Sequence, residues 1–98
     1  MKVNELKTVH LTIMPKVEDM EHGVIYVSMK FNLAIHLCAC GECRWQTVTP
    51  FVLETASMNH FWQYTENEGR VTLHPSIGNH QFPCKSHYWV RDGKIVWD

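Results

Sequence analysis

The 98-residue chain has no long hydrophobic run, no excess of one charge sign and no helical stripe. Its apolar runs fall far short of the ~18 residues a membrane-spanning helix requires. Nine Lys and Arg stand against ten Asp and Glu, a net charge of -1. That balance excludes the broad basic bias of a protein that displaces counterions from nucleic acid. The opening residues MKVNELK lack the apolar core of a secretory signal, so the expected compartment is the cytoplasm. There is no internal repeat, no low-complexity tract and no linker. At this length the expectation is one domain over residues 1–98. Ser76 and Ser86 stand in no recognisable nucleophile setting such as G-x-S-x-G.

The chain has a period of two. Val9, Leu11 and Ile13 alternate with polar residues, the mark of a half-buried strand. Residues 17–22 (VEDMEH) predict a loop or one helical turn, closed by Gly23. Residues 24–29 (VIYVSM) and 33–37 (LAIHL) are β-branched and aromatic, as strands prefer. Thr47-Val48-Thr49 before Pro50 predicts an edge or a strand end, with residues 51–53 as a continuation. Residues 60–65 and 70–74 read as a hairpin around the turn cluster 66–69, and residues 75–83 as a loop. Asp92-Gly93 between YWVR and KIVW is the clearest hairpin signal, because a type I′ turn needs positive φ at both central positions. The weakest case against a helix is 55–61. The expected fold is all-β: a small antiparallel sheet or ribbon of six to eight short strands with a metal-binding pair of knuckles.

Four cysteines and seven histidines are the informative counts. Reduced cytosolic thiols in a cluster point to metal more than to disulfides. Cys38, Cys40 and Cys43 fall within six positions on a strand-to-turn boundary, around Gly41. Some forty residues on come Cys84 and His87, a Cys-x2-His pair before the last hairpin. Zn²⁺ takes four such S and N donors as a closed tetrahedron in structural sites. Five candidates compete for four places. Cys38, Cys40, Cys84 and His87 are the favoured set, with Cys43 spare or replacing one of the first two; an all-cysteine set without His87 stays open. The alternative cofactor is a Rieske-like or other three-Cys, one-His [2Fe–2S] cluster. Buried or unpaired thiols without metal are the plainer reading.

Residues 23–28 (GVIYVS), 36–41 (HLCACG), 48–50 (VTP), 71–79 (VTLHPSIGN), 82–90 (FPCKSHYWV) and the Gly93-to-Trp97 hairpin carry a resemblance. They resemble a zinc-ribbon-like family of small bacterial and phage proteins, a domain of unknown function. Its members are often encoded beside a ubiquitin-like modifier, an E1-like enzyme, an E2-like protein and a JAB-type peptidase. The family pattern C-x-C-G-C-G is broken here, because Glu42 stands between Gly41 and Cys43. The resemblance implies a zinc-binding interaction module with a modifier, E1-like or E2-like partner, in conjugation, defence or counter-defence.

The expected function is therefore a non-enzymatic adaptor, with enzymatic activity left open. Two alternatives compete with it. One is an iron–sulfur electron carrier. The other is a thiol-dependent step of modifier transfer at Cys43, with Arg44 favouring its thiolate. His36 alternates with Ile35 and Leu37 and is expected at the surface or behind a ligand. His74 before Pro75 is expected to be a loop histidine. Most of the tryptophans must be core; Trp89 and Trp97 are a candidate exposed pair. His10, His22, His60 and His80 carry no assigned role.

Overall fold

The computed structural model describes residues 2–52, 62–79 and 82–98. Among these residues eight strands form one sheet in chain order: β1 Lys7–His10, β2 Val24–Ser28, β3 Leu33–Leu37, β4 Gln46–Val52, β5 Trp62–Asn67, β6 Arg70–Gly78, β7 His87–Arg91 and β8 Lys94–Trp97. Among the described residues the helical content is one 3-10 turn at Val17–Asp19, and no helix there is long and apolar enough to cross a membrane. The all-β expectation and the strand count both hold.

Neighbouring strands are antiparallel except for β1 with β2 and β4 with β5. Both edges of the sheet meet at the N-terminal segment. Glu5 bridges Lys94, Ile95 N–H donates to Asn4 and Leu6 N–H donates to Gly93, while β1 runs along β2. Residues 4–10 thus close the sheet on itself. Two turns owe their tightness to positive φ: Glu68 and Gly69 join β5 to β6, and Asp92 and Gly93 join β7 to β8. A Cβ on Gly93 would stand 3.4 Å from the Arg70 Cβ, so both backbone and space favour glycine there.

The main core lies inside the closed sheet. Ile25, Val27, Phe51, Tyr64, Val71, Leu73, Ile77, Tyr88 and Val90 fill it, with Phe51 stacked on Tyr64. A second cluster of Met20, Tyr26, Ile35 and Leu37 lies outside the sheet. Strands β2 and β3 are therefore covered on both faces, and simple alternation misreads them. His36 points inward and is completely buried, not at the surface.

Several boundaries differ from the reading of the sequence. Strand β1 stops at His10, and Ile13 is 81% exposed. Pro50 does not end β4, which continues to Val52 with Pro50 opposite Leu33. Strand β6 runs through Pro75 to Gly78, past the point expected to be loop. Trp97 packs on the core while Trp89 faces out, so they are no exposed pair. The expectations for 53–61, including His60, and for His80 lie outside the described residues.

Candidate functional site

The loop after β3 turns back at Gly41, whose φ of 78° is left-handed, and gathers Cys38, Cys40 and Cys43. The loop before β7 brings Cys84 to them. All four sulfurs lie within 4.8 Å of one another. Cys38 is 3.3 Å from Cys84, Cys40 is 3.4 Å from Cys43, and Cys43 is 3.9 Å from Cys84. All four are free thiols. A tetrahedron with metal–sulfur bonds of about 2.3 Å has sulfur–sulfur edges near ~3.8 Å, so the cluster has the size of a four-thiolate shell and can hold a metal ion.

Local donors favour thiolate at Cys40. The backbone N–H groups of Glu42 and Cys43 donate to the Cys40 sulfur. Burial pushes the Cys40 thiol up, but those two donors together with hydrogen bonds to the Cys43 and Cys38 thiols outweigh it and bring it down to about 7. Cys38, the buried member, is pushed up to about 12 by burial. A bound cation reverses that, since a coordinating thiol is deprotonated outright. Cys40 and Cys43 form a Cys-x2-Cys knuckle, so Cys43 is a member of the cluster and not the spare thiol. Arg44 does not serve Cys43; its guanidinium donates to the carbonyls of Val17 and Met20.

His87, the fifth candidate ligand, makes a different set of bonds. Its Nε2 is 2.8 Å from Ser76 Oγ, and its Nδ1 is 2.6 Å from Asp98 Oδ2. The carboxylate accepts from Nδ1–H, which leaves the Nε2 lone pair for the serine hydroxyl. Three adjacent strand positions supply this chain: Ser76 from β6, His87 from the start of β7, and Asp98 just past β8.

The register explains the meeting. The β7–β8 hairpin pairs Tyr88 with Trp97, and Asp98 N–H donates to the His87 carbonyl, so the acid stands directly across from the imidazole. On the other side, Leu73 pairs with Val90 but Ile77 with Tyr88. Four steps along β6 thus face two along β7, a bulge at Pro75, where a ladder N–H is missing anyway. Gly78 falls opposite His87. It has no side chain, so the ring can lean diagonally to Ser76. His87 and Asp98 keep 36% and 60% of their side chains exposed, and Ser76 is half-buried.

The thiol cluster and this chain share a support. Ser86 Oγ lies 3.0 Å from the Cys38 sulfur and accepts from Asn79 Nδ2 at 3.0 Å. The Asn79 amide also donates to the Tyr88 hydroxyl, which shares a 2.7 Å hydrogen bond with His36 Nε2. Burial holds His36 down at about 4, so it is neutral. Ser86 is thus a buried strut rather than a nucleophile. His74 lies on β6 with its ring 5.7 Å from Trp89, in a strand rather than a loop.

No curated protein and no solved structure matches the chain. A family model does, over residues 11–98: the serine protease of the bacterial ubiquitination-like system, BubE. This match overturns the expected non-enzymatic adaptor. With it go the electron carrier and the thiol-transfer component, neither of which is a serine protease. The expected link to a ubiquitin-like system holds. The matched residues contain Ser76, His87 and Asp98, and on this evidence the chain belongs to the BubE family of bacterial ubiquitination-like system serine proteases.

Proposed function

We propose that the chain hydrolyses an amide bond in a protein of its ubiquitination-like system, with Ser76 as nucleophile. The observation that supports this is the continuous bonding from Asp98 through His87 to Ser76. Ser76 Oγ attacks the scissile carbonyl carbon while its proton passes to His87 Nε2. Asp98 stays ionised and stabilises the imidazolium. The adduct collapses by breaking the carbon–nitrogen bond, and Nε2 returns the proton to the departing amine. A water molecule, giving its proton to Nε2, then adds to the acyl ester, and the ester carbon–oxygen bond breaks as Nε2 returns that proton to Ser76 Oγ. The substrate is a protein, a ubiquitin-like modifier or its conjugate. The test is labelling by a fluorophosphonate, which phosphonylates activated serines. Wild-type protein is expected to label at one site, and Ser76→Ala to lose it. Labelling that persists in Ser76→Ala overturns the assignment.

We also propose that Cys38, Cys40, Cys43 and Cys84 hold a single Zn²⁺ as a structural ion. Soft thiolates select zinc or iron. A [2Fe–2S] cluster spreads two thiolates onto each of two irons, whereas here all four sulfurs lie around one centre. Four protein ligands leave no open position for a reacting water, so the ion holds loops rather than substrate. Elemental analysis is expected to give one zinc per chain without visible absorbance. Iron with visible absorbance overturns the zinc assignment.

A further inference from the structure

The outer face of β6–β8 continues away from Ser76 as an ordered strip. Inward residues on β7 are Tyr88 and Val90, so His87, Trp89 and Arg91 face out together. Trp89 pairs with Val96, which is 41% exposed, and His74 lies against the Trp89 ring from β6. Arg91 lays its guanidinium over the same ring, with Cζ 4.6 Å from the centroid. The strip therefore passes from the nucleophile to an aromatic platform and then to a cation.

Arg91 is the charge that matters on this face. Arg70 already pairs with Asp92 at 3.3 Å. Lys94 stands opposite Arg91 in the β7–β8 ladder and adds positive charge at the same end of the strip. Among the described residues no ion pair engages Arg91. Stacking on Trp89 holds the guanidinium in place while its edge stays exposed. A planar fork of this kind suits a carboxylate, which it can meet with two parallel hydrogen bonds.

We infer that Arg91, seated on Trp89, is a specificity-determining residue that binds an acidic side chain of the substrate. The inference rests on the hydrolase reading and adds to it the substrate's chemistry. Arg91 lies four positions along β7 from His87, about 13 Å at the ~3.3 Å rise of a strand. An extended substrate rises by the same amount per residue. Its acidic residue thus lies three to five positions from the cleaved bond, and an apolar or flat side chain near the second position meets Trp89.

The test uses the full chain and a proteome-derived peptide library, with cleavage sites read by mass spectrometry. Wild-type protein is expected to favour Asp or Glu over Lys or Arg about fivefold at one of those positions, the scale of an exposed ion pair. Arg91→Glu is expected to invert the preference toward Lys or Arg, and Arg91→Gln to flatten it. A structural role for Arg91 lowers all cleavage without changing the charge selected. Cleavage with no charge preference, or a preference unchanged in both variants, overturns the inference alone. Absent cleavage together with absent fluorophosphonate labelling of wild-type protein overturns the hydrolase reading and this inference with it.

Discussion

Replacing Asp98 by Asn tests the proposed catalytic chain at its outermost link. The two side chains have nearly the same shape, so the 2.6 Å contact to His87 Nδ1 can persist while the charge is lost. The charge acts when His87 becomes an imidazolium during attack. Two unit charges about 4 Å apart near a protein surface interact by about 4 kcal/mol, and by about 1 kcal/mol in bulk water. Asp98 is 60% exposed, so its contribution lies between these limits, at about 2–3 kcal/mol. Each 1.36 kcal/mol is about tenfold in rate, and the expected loss is therefore about 30- to 200-fold. A buried counterpart loses more, about 10⁴-fold, because an Asn amide also turns the imidazole to the wrong tautomer. The assay is the second-order rate of fluorophosphonate labelling of Ser76, with urea unfolding run alongside. Unfolding is expected to change by under ~0.5 kcal/mol, the usual scale at an exposed site. A labelling rate within about threefold of wild type refutes any electrostatic role of Asp98 on His87.

Cys84→Ser is expected to lose the bound metal and lower the melting temperature, read by elemental analysis and circular dichroism; full metal occupancy with unchanged melting removes Cys84 from the shell. Tyr88→Phe strips the buried His36 and Asn79 of a shared partner, and urea unfolding is expected to show a loss of about 1–3 kcal/mol. Gly93→Val places a β-branched residue at a φ of 74°, and its strained turn is expected to lower stability by at least about 1–2 kcal/mol and to slow Ser76 labelling, since the turn sets His87 against Asp98. Glu66 is raised by burial but lowered more by hydrogen bonds from Tyr64 and His10, so its folded pKa lies below the usual carboxylate value. Its contribution is present above the unfolded pKa and lost as pH falls through the folded one. Acid titration of stability is therefore expected to be shallower in Glu66→Gln below about pH 4.5.

Much of the β architecture is legible because strands β2, β3, β7 and β8 carry dense β-branched and aromatic residues, and because two turns carry Gly where positive φ demands it. The thiol cluster is legible too: Cys-x2-Cys at Cys40 and Cys43 is itself ligand spacing, although attention to Cys38 and Cys40 hides it. Half of the proposed catalytic chain is legible in the same way. A two-residue turn at Asp92 and Gly93 pairs residues whose numbers sum alike, so His87 must face Asp98. Reading His87 as a ligand because it follows Cys84 hides that pairing. Ser76 was not available. Its place depends on a bulge that sets four steps against two, and no local pattern around Pro75 counts those steps. Nor does a local pattern show that β3 is covered on both faces, which is why His36 reads as exposed.

The closing contact of residues 4–6 with β8 decides how a substrate can enter. Many extended peptides bind by strand addition, lending their backbone to an unpaired sheet edge. Here the edge of β8 from Gly93 to Ile95 is already taken by the chain's own backbone. A substrate segment is therefore kept from adding to that stretch, and one that lies over the face of β6–β8 would be held by side chains, with few main-chain bonds to replace lost contacts. Inhibitors that mimic only an extended backbone should bind poorly, whereas short peptides with the right side chains should keep most of their affinity.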